Sequence, residues 1–77
     1  MSEIVTFYDM QCELESATSL HGPMASAHEA YAIILEELDE FKAEVWKKPS
    51  QRDKENMRKE LIQIGAMCAR AIGDLKL

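Results

Sequence analysis

Two long runs of apolar residues recur at steps of three and four, and this spacing most restricts what the chain can fold into. The first run follows Ser26 and reaches Lys48, and the second follows Ser50 or Asp53 and reaches Leu75. Such spacing puts the apolar side chains on one face of an α-helix and does not match the two-residue period of a strand. The runs comprise Ala27, Ala30, Tyr31, Ile34, Leu38, Phe41 and Val45, then Met57, Leu61, Ile64, Cys68, Ala71, Ile72 and Leu75.

The boundaries of these two helices carry their own signals. Ser26 is followed three residues later by Glu29, which is the pattern of a capping box at a helix start. Pro49 ends the first helix, because the residue before a proline is disfavoured in helical backbone. Either Ser50 or Asp53 can cap the second helix. The sequence therefore predicts a long helix up to Lys48, a short turn, and another long helix.

The N-terminal segment, from Ser2 to Ser19, predicts a shorter amphipathic helix that ends near Gly22. A competing interpretation exists, because the run from Ile4 to Tyr8 is rich in residues that favour strands. The apolar positions at mostly helical spacing are Ile4, Phe7, Tyr8, Cys12, Leu14 and Ala17.

These segments indicate an all-α fold with one domain over residues 1–77. Two long helices joined by a short turn form an antiparallel hairpin, and the third helix packs on it. A chain this short buries only about 60% of its unfolded surface. Because each long helix is apolar over a wider arc than one partner helix covers, we expect a homodimer or a dimer of dimers that completes a four-helix-type bundle.

Charge and composition exclude several classes of partner. Nine basic and fourteen acidic residues give a net charge of −5, which argues against binding to a nucleic-acid backbone. No apolar run approaches the roughly 20 residues that cross a bilayer. The N-terminus is acidic at Glu3 and Asp9 and lacks the basic start of a signal peptide, so a cytoplasmic protein is expected.

Cys12 and Cys68 are too few for a disulfide scaffold and are predicted to be small buried apolar groups.

The acidic segment EELDE lies along the edge of the apolar face of the second helix. At 100° per residue, Glu37, Glu40 and Glu44 line one border of that face. Glu36 lies further out and Asp39 faces solvent. The border glutamates are therefore the ones expected to meet a partner helix.

A matching acidic position lies on the third helix, where Glu60 borders the apolar face and Gln63 follows on its polar side. If the two apolar faces meet, Glu37 and Glu40 approach Glu60 and Gln63. Half-buried carboxylates at such a border repel one another and are poorly solvated, and a divalent cation relieves both penalties. Oxygen ligands suit magnesium, with manganese as the alternative. The ordinary alternative is a solvated border whose glutamates pair with lysines three or four residues away.

The segment Glu36–Glu40 followed by Glu60–Gln63 resembles the EExxE…ExxD motif of MazG-like all-α nucleotide pyrophosphohydrolases. The flanking residues, about 22–74, are similar to short MazG-like proteins of phages and mobile elements. The resemblance implies magnesium-dependent hydrolysis of a nucleoside triphosphate to the monophosphate and pyrophosphate, with the metal as Lewis acid and activator of water.

The resemblance also implies roles for individual residues. Glu37 and Glu40 would be metal ligands from the first motif and Glu60 a ligand from the second. Glu36 would be an outer ligand or would orient the water, so that Glu36 and Glu37 are the catalytic candidates. Gln63 stands where the family has Asp, and its amide oxygen can ligate a cation but brings no charge. The alternative function is therefore a degenerate relative that binds a nucleotide or a partner protein without turnover.

Three further residues are candidates for contacting the nucleotide. Arg58 and Lys59 lie near the turn between the long helices, and His28 precedes the EELDE segment by about two turns. The alternative for each is an exposed or structural position on a helix. A third interpretation of the whole chain is a plain helical oligomerisation module.

Overall fold

A computed structural model of the chain describes residues 3–77. Every regular element in this part of the chain is helical, which confirms the predicted three-helix, all-α class. None of the helices in residues 3–77 is long and apolar enough to span a membrane. Ser2, the predicted first residue of helix one, lies outside the described residues. The elements are α1 (Glu3–Leu20), α2 (Ala27–Val45), a 3-10 turn (Pro49–Gln51) and α3 (Lys54–Asp74).

The two long helices begin at capping residues. The Ser26 side chain accepts a hydrogen bond from the Glu29 backbone N–H at 3.1 Å, as the capping-box pattern predicts. Asp53 caps α3 by accepting from the Asn56 backbone N–H, also at 3.1 Å. Ser50, the alternative cap, instead lies inside the 3-10 turn. Each cap satisfies a backbone donor that the first turn of a helix leaves without a partner.

The predicted end of α2 at Lys48 is wrong, because the helix ends at Val45 with Trp46 as its C-cap. Lys48 has φ −57° and ψ 141°, the extended backbone that Pro49 imposes on the residue before it. Pro49 therefore accounts for the backbone of Lys48, while the helix has already ended three residues earlier.

Contacts at both ends show that α2 and α3 form an antiparallel hairpin. At one end, Glu44 Oε1 accepts a hydrogen bond from the Asp53 backbone N–H at 2.7 Å. At the other end, the Met24 backbone N–H donates to Asp74 Oδ2 at 2.9 Å. The start of α3 therefore lies beside the end of α2, and the end of α3 lies beside the residues before α2.

Helix α1 packs on α3 and runs parallel to it, while α1 and α2 contact each other far less. Near its start, Asp9 accepts a hydrogen bond from Arg58 Nη2 at 2.7 Å. Just beyond its end, the Gly22 carbonyl accepts from Arg70 Nη2. α3 is consequently the helix that both others share.

The core is built mostly from small side chains. Ala66 of α3 is fully buried, and no large side chain in residues 3–77 reaches the same degree of burial. The core is therefore small, as expected for a chain of this length. The buried members of the cluster are Ala17, Met24, Ala30, Ala66, Met67 and Ala71.

Much of the predicted apolar stripe remains exposed. Of the seven predicted positions on α3, only Ala71 is buried, and Cys68 is exposed. Cys12 is exposed as well, so the prediction that both cysteines are buried is wrong. The reason is that α3 turns Glu60 and Met67 towards α2, and this rotates the predicted stripe partly out of the contact. We call the exposed side chains of the hairpin the apolar face, which comprises Tyr31, Leu35, Leu38, Leu61 and Ile72.

Candidate metal centre

Three carboxyl groups meet at the contact between α2 and α3. Glu37 and Glu40 lie one turn apart on α2, and the antiparallel pairing of the helices places Glu60 of α3 opposite them. One carboxylate oxygen from each residue lies within 4.8 Å of the others. The sequence prediction that these three residues approach one another is thereby confirmed.

The cluster is partly removed from water. Glu60 is buried and Glu37 is half-buried, whereas Glu40 is exposed. Glu37 Oε2 and Glu60 Oε2 are buried and have no hydrogen-bond partner. A buried carboxylate oxygen without a partner is costly, because it has lost its hydration without compensation. A proton or a cation bound at the cluster would therefore remove this energetic cost.

The pKa values of Glu37 and Glu60, the two less exposed members of the cluster, are both raised. Burial, followed by the charges of Glu40 and Glu60, raises the pKa of Glu37 from 4.5 to about 7. Burial, together with a hydrogen bond and repulsion from Glu40, raises the pKa of Glu60, and the nearby charge of Lys59 opposes that rise. Both shifts mean that the folded chain binds protons at this site more tightly than free glutamates do.

The donor set fits a hard divalent cation. Magnesium binds oxygen ligands at about 2.0–2.1 Å, so ligands on opposite sides of the ion lie about 4 Å apart. Neighbouring ligands lie about 3 Å apart, so three carboxylates within 4.8 Å of one another would approach one another by about 1–2 Å around a bound ion. A cation here would neutralise the repulsion and take up the two buried oxygens that have no partner.

The remaining predicted site residues lie around this cluster or away from it. Glu36 is exposed and, like Glu37, lines a cavity between the three helices. Gln63 is half-buried one turn after Glu60. On an ideal helix it lies on the side of the hairpin that also carries Glu40. Of the five predicted carboxylate and amide site residues, the structure thus unites three carboxylates and places the other two on the same helices.

The three candidates for nucleotide contact lie in different places. Arg58 donates to Asp9, on the side of α3 that faces α1. Lys59 is exposed, and its charge opposes the rise in the pKa of Glu60. His28 is exposed in the first turn of α2. Lys59 is electrostatically linked to the carboxylate cluster.

Glu44, which the sequence placed on the same border as Glu37 and Glu40, has a structural role. It is buried and accepts hydrogen bonds from the Asp53 backbone N–H, from Asn56 Nδ2 at 3.1 Å and from Lys47 Nζ at 3.0 Å. These bonds hold the pKa of its carboxyl below the ordinary value. Glu44 therefore joins the end of α2 to the start of α3.

A cavity of about 750 Å³ adjoins the carboxylate cluster, and the sequence did not predict it. It lies between the second half of α1, the first half of α2 and the later part of α3, and Glu36 and Glu37 form part of its wall. Arg70, the only basic residue between Glu60 and Lys76, lines it and is buried. The isolated position of Arg70 among apolar residues was the one feature of the sequence that could have indicated this cavity. The lining residues are Glu13, Ala17, Leu20, His21, Gly22, Pro23, Glu29, Ile33, Glu36, Glu37, Met67 and Arg70.

Comparison with known proteins returned no match to a family model, to a curated protein or to a solved structure.

Proposed function

We propose that this chain is a magnesium-dependent nucleoside triphosphate pyrophosphohydrolase of the MazG-like type. The observation that carries the proposal is the cluster of Glu37, Glu40 and Glu60, with its two buried carboxylate oxygens that have no partner. The motif resemblance supplies the reaction: water adds to a phosphate, the bond between the α- and β-phosphates breaks, and pyrophosphate leaves.

Each residue of the site has a proposed role in this reaction. Glu37, Glu40 and Glu60 hold magnesium, with Gln63 as a further oxygen donor. Magnesium, when bound, polarises the phosphate oxygens and lowers the pKa of a coordinated water. Glu36, which is exposed beside Glu37 on the cavity wall, orients the attacking water and accepts its proton.

The test is a pyrophosphate-release assay on the purified protein with magnesium and each of the common ribo- and deoxyribonucleoside triphosphates. Turnover that depends on magnesium is expected, together with its loss in Glu37→Gln and Glu60→Gln. Asp39→Asn is the matched control, because Asp39 lies in the same acidic segment but is exposed and outside the cluster. Absence of turnover with every nucleotide would refute the enzymatic function.

The second candidate is a relative that binds a nucleotide or a partner protein without turnover, and Gln63 is the observation that favours it. The amide supplies a neutral ligand where a carboxylate would hold the cation more tightly. Replacing Gln63 by Asp separates the two functions. If Gln63→Asp gains both magnesium affinity and activity over an inactive native protein, the native site is a weakened one.

We also propose that the functional unit is a homodimer, or a dimer of dimers, formed through the apolar face. Tyr31, Leu35 and Leu38 of α2 lie on the same side of the hairpin as Leu61 and Ile72 of α3, opposite the side that carries Glu40. A continuous exposed apolar surface of this kind is typical of an interface. A second copy would supply the helices that complete a four-helix bundle.

A further inference from the structure

The basic residues of the chain are concentrated at one end of the helical hairpin. Residues 42–59, which we call the basic end, contain seven basic and three acidic residues, a net charge of +4. The rest of the chain contains two basic and eleven acidic residues, a net charge of −9. The basic end comprises the last turn of α2, the connection and the first turns of α3. A chain of negative net charge is therefore positive at one end.

Interactions within the fold leave the lysines of the basic end facing solvent. Two of its three acids have structural roles, because Glu44 is buried in the helix connection and Asp53 caps α3. Both arginines are engaged as well, Arg52 with a backbone carbonyl of α2 and Arg58 with Asp9. The exposed basic residues are Lys42, Lys47, Lys48, Lys54 and Lys59.

Distance and screening separate this surface from the acids at the other end of the molecule. Glu29, near the start of α2, lies sixteen residues before Val45, which corresponds to about 24 Å along the helix. The Debye length at physiological ionic strength is about 8 Å, so charges this far apart are largely screened from one another. An anion at the basic end is therefore attracted by the local positive charge, although the chain as a whole is negative.

Trp46 adds an exposed apolar group to the basic end. It is the only tryptophan of the chain and is 75% exposed. Lys42 Nζ lies 5.4 Å from the centre of its ring, a cation–π contact that holds one positive charge beside the aromatic surface. The two side chains line a shallow depression of about 450 Å³ together with Asp39 and Ala43. Tryptophan is enriched among the residues that dominate the binding energy of protein interfaces.

We infer that the basic end is a docking surface for an acidic segment of another protein. Carboxylates of that segment pair with Lys48 and Lys54, and one of its apolar side chains covers Trp46. Charge complementarity brings the segment to this end of the molecule, and removal of the tryptophan ring from water stabilises the contact. The surface contains none of the three clustered carboxylates, so the inference does not depend on the proposed function.

Two features favour a peptide over a nucleic acid or a membrane. The planar guanidinium of arginine binds phosphates through paired hydrogen bonds, but both arginines of the basic end are engaged within the fold and its exposed cations are lysines. The lysines also lie on several sides of the end, because Lys54 and Lys59 are about 140° apart around the axis of α3. A flexible peptide can contact several sides, whereas a planar bilayer contacts one.

The test follows the fluorescence of Trp46 while a short polyglutamate peptide carrying one phenylalanine is added. A chelator is present, so that no metal ion links the peptide to the carboxylate cluster. We expect the emission to shift to shorter wavelength as the ring leaves water, and the affinity to fall about tenfold between about 50 and about 200 mM salt. A polyglutamine peptide with the same phenylalanine, an oligothymidylate and phosphatidylserine vesicles are the comparison probes. No binding of the polyglutamate peptide, or binding of any comparison probe at equal or higher affinity, would overturn the inference.

Charge reversals connect the binding to the basic end. Lys48 and Lys54 take part in none of the ion pairs between described residues, so their replacement should preserve the fold, which circular dichroism checks. Lys48→Glu and Lys54→Glu should each weaken peptide binding about threefold and together about tenfold. Lys76→Glu is the matched control, because Lys76 is an exposed lysine outside the basic end, and should leave the affinity unchanged. Trp46→Ser should weaken binding without changing its salt dependence.

Two further outcomes would also contradict the inference. Equal affinities of the native and doubly reversed proteins would place the peptide elsewhere. Salt-sensitive self-association by light scattering, lost in the doubly reversed protein, would identify the occupant as a second copy of this chain. Since the titration is done without metal, neither outcome bears on release of pyrophosphate.

Discussion

Glu60 is unfavourable for folding at the position where it is proposed to bind a metal ion. It is buried beside two other acids and carries an oxygen without a partner. Burying like charges without compensation destabilises a folded chain. Active sites commonly retain such groups, because their unmet interactions are the ones a ligand satisfies.

Replacing this carboxylate by an amide should therefore stabilise the metal-free protein. We expect Glu60→Gln to raise the free energy of unfolding near pH 8, in the presence of a chelator, by about 1 kcal/mol. Magnesium should stabilise the native protein by mass action and leave the variant unchanged. Urea unfolding with and without magnesium measures both effects. A variant less stable than the native chain would show that Glu60 is already compensated.

The stability of the metal-free chain should also depend on pH in a direction opposite to that of an ordinary salt-bridged acid. The pKa of Glu37 rises on folding from 4.5 to about 7, and that of Glu60 rises too. Between these values the folded state binds more protons than the unfolded state, so stability falls as the pH increases towards about 7.

Urea unfolding in a chelator at about pH 5 and about pH 8 should show the larger free energy of unfolding at the lower pH. Glu37→Gln should reduce the difference, and Asp39→Asn should not. The lowered pKa of Glu44 acts in a separate window, since its contribution is lost only as the pH falls below 4.5. Equal pH dependence in the native and Glu37→Gln proteins would contradict the assignment.

The connection between α2 and α3 is the element that sets the register of the acidic cluster. Glu44 bonds to Asp53, Asn56 and Lys47, and this network fixes the start of α3 relative to the end of α2. Arg52 adds to it by donating through Nε and Nη2 to the Val45 carbonyl at 3.1 and 2.8 Å. Because one turn of helix spans about 5.4 Å, a slip of a single turn would separate Glu60 from its partners.

Removing the Glu44 carboxylate should loosen this connection. In Glu44→Ala the Asp53 backbone N–H loses its acceptor, so we expect the thermal midpoint to fall by several degrees and hydrogen exchange to quicken over residues 46–56. Magnesium affinity should fall as well, although Glu44 is not a proposed ligand. Glu55→Ala, at an exposed glutamate in the first turn of α3, is the control and should have a smaller effect. Unchanged exchange in the connection would argue against this role.

At the scale of the whole molecule, the small core and the exposed apolar face have the same cause, because a single chain does not cover all of its apolar surface. A single chain buries mainly alanines and two methionines, while Tyr31 is 68% exposed and Ile72 is 56% exposed. Such surface is stable in water mainly when another surface covers it. Two copies of the hairpin would bury it and leave the acidic side with its cavity accessible.

A charge placed on the apolar face should therefore break self-association. We expect the native protein to be dimeric or tetrameric by light scattering and Leu38→Glu to shift it to the monomer. Ala43→Glu is the matched control, because Ala43 is exposed on another side of α2 and the added charge is identical. A monomeric native protein at high concentration would contradict the proposed assembly.

Sequence alone was sufficient for the two long helices, for the Ser26 cap and for the meeting of Glu37, Glu40 and Glu60, while it left the cap of α3 open between Ser50 and Asp53. Helix caps depend on neighbouring backbone, and the 3.6-residue period carries each glutamate to a definable border of its helix. Once two such helices pair in antiparallel fashion, the borders must meet. That is why the meeting of residues 20 or more positions apart could be predicted from each helix separately.

The tertiary structure alone decided which sector of α3 is buried, the exposure of Cys12 and Cys68, the structural role of Glu44, and the cavity containing Arg70. The role of Glu44 depends on the connection between α2 and α3, and the cavity depends also on where α1 lies across the hairpin. Its position follows from how small side chains such as Ala66 allow helices to approach, and no spacing in the sequence encodes it. Burial is a property of the packed arrangement, whereas periodicity describes one helix at a time.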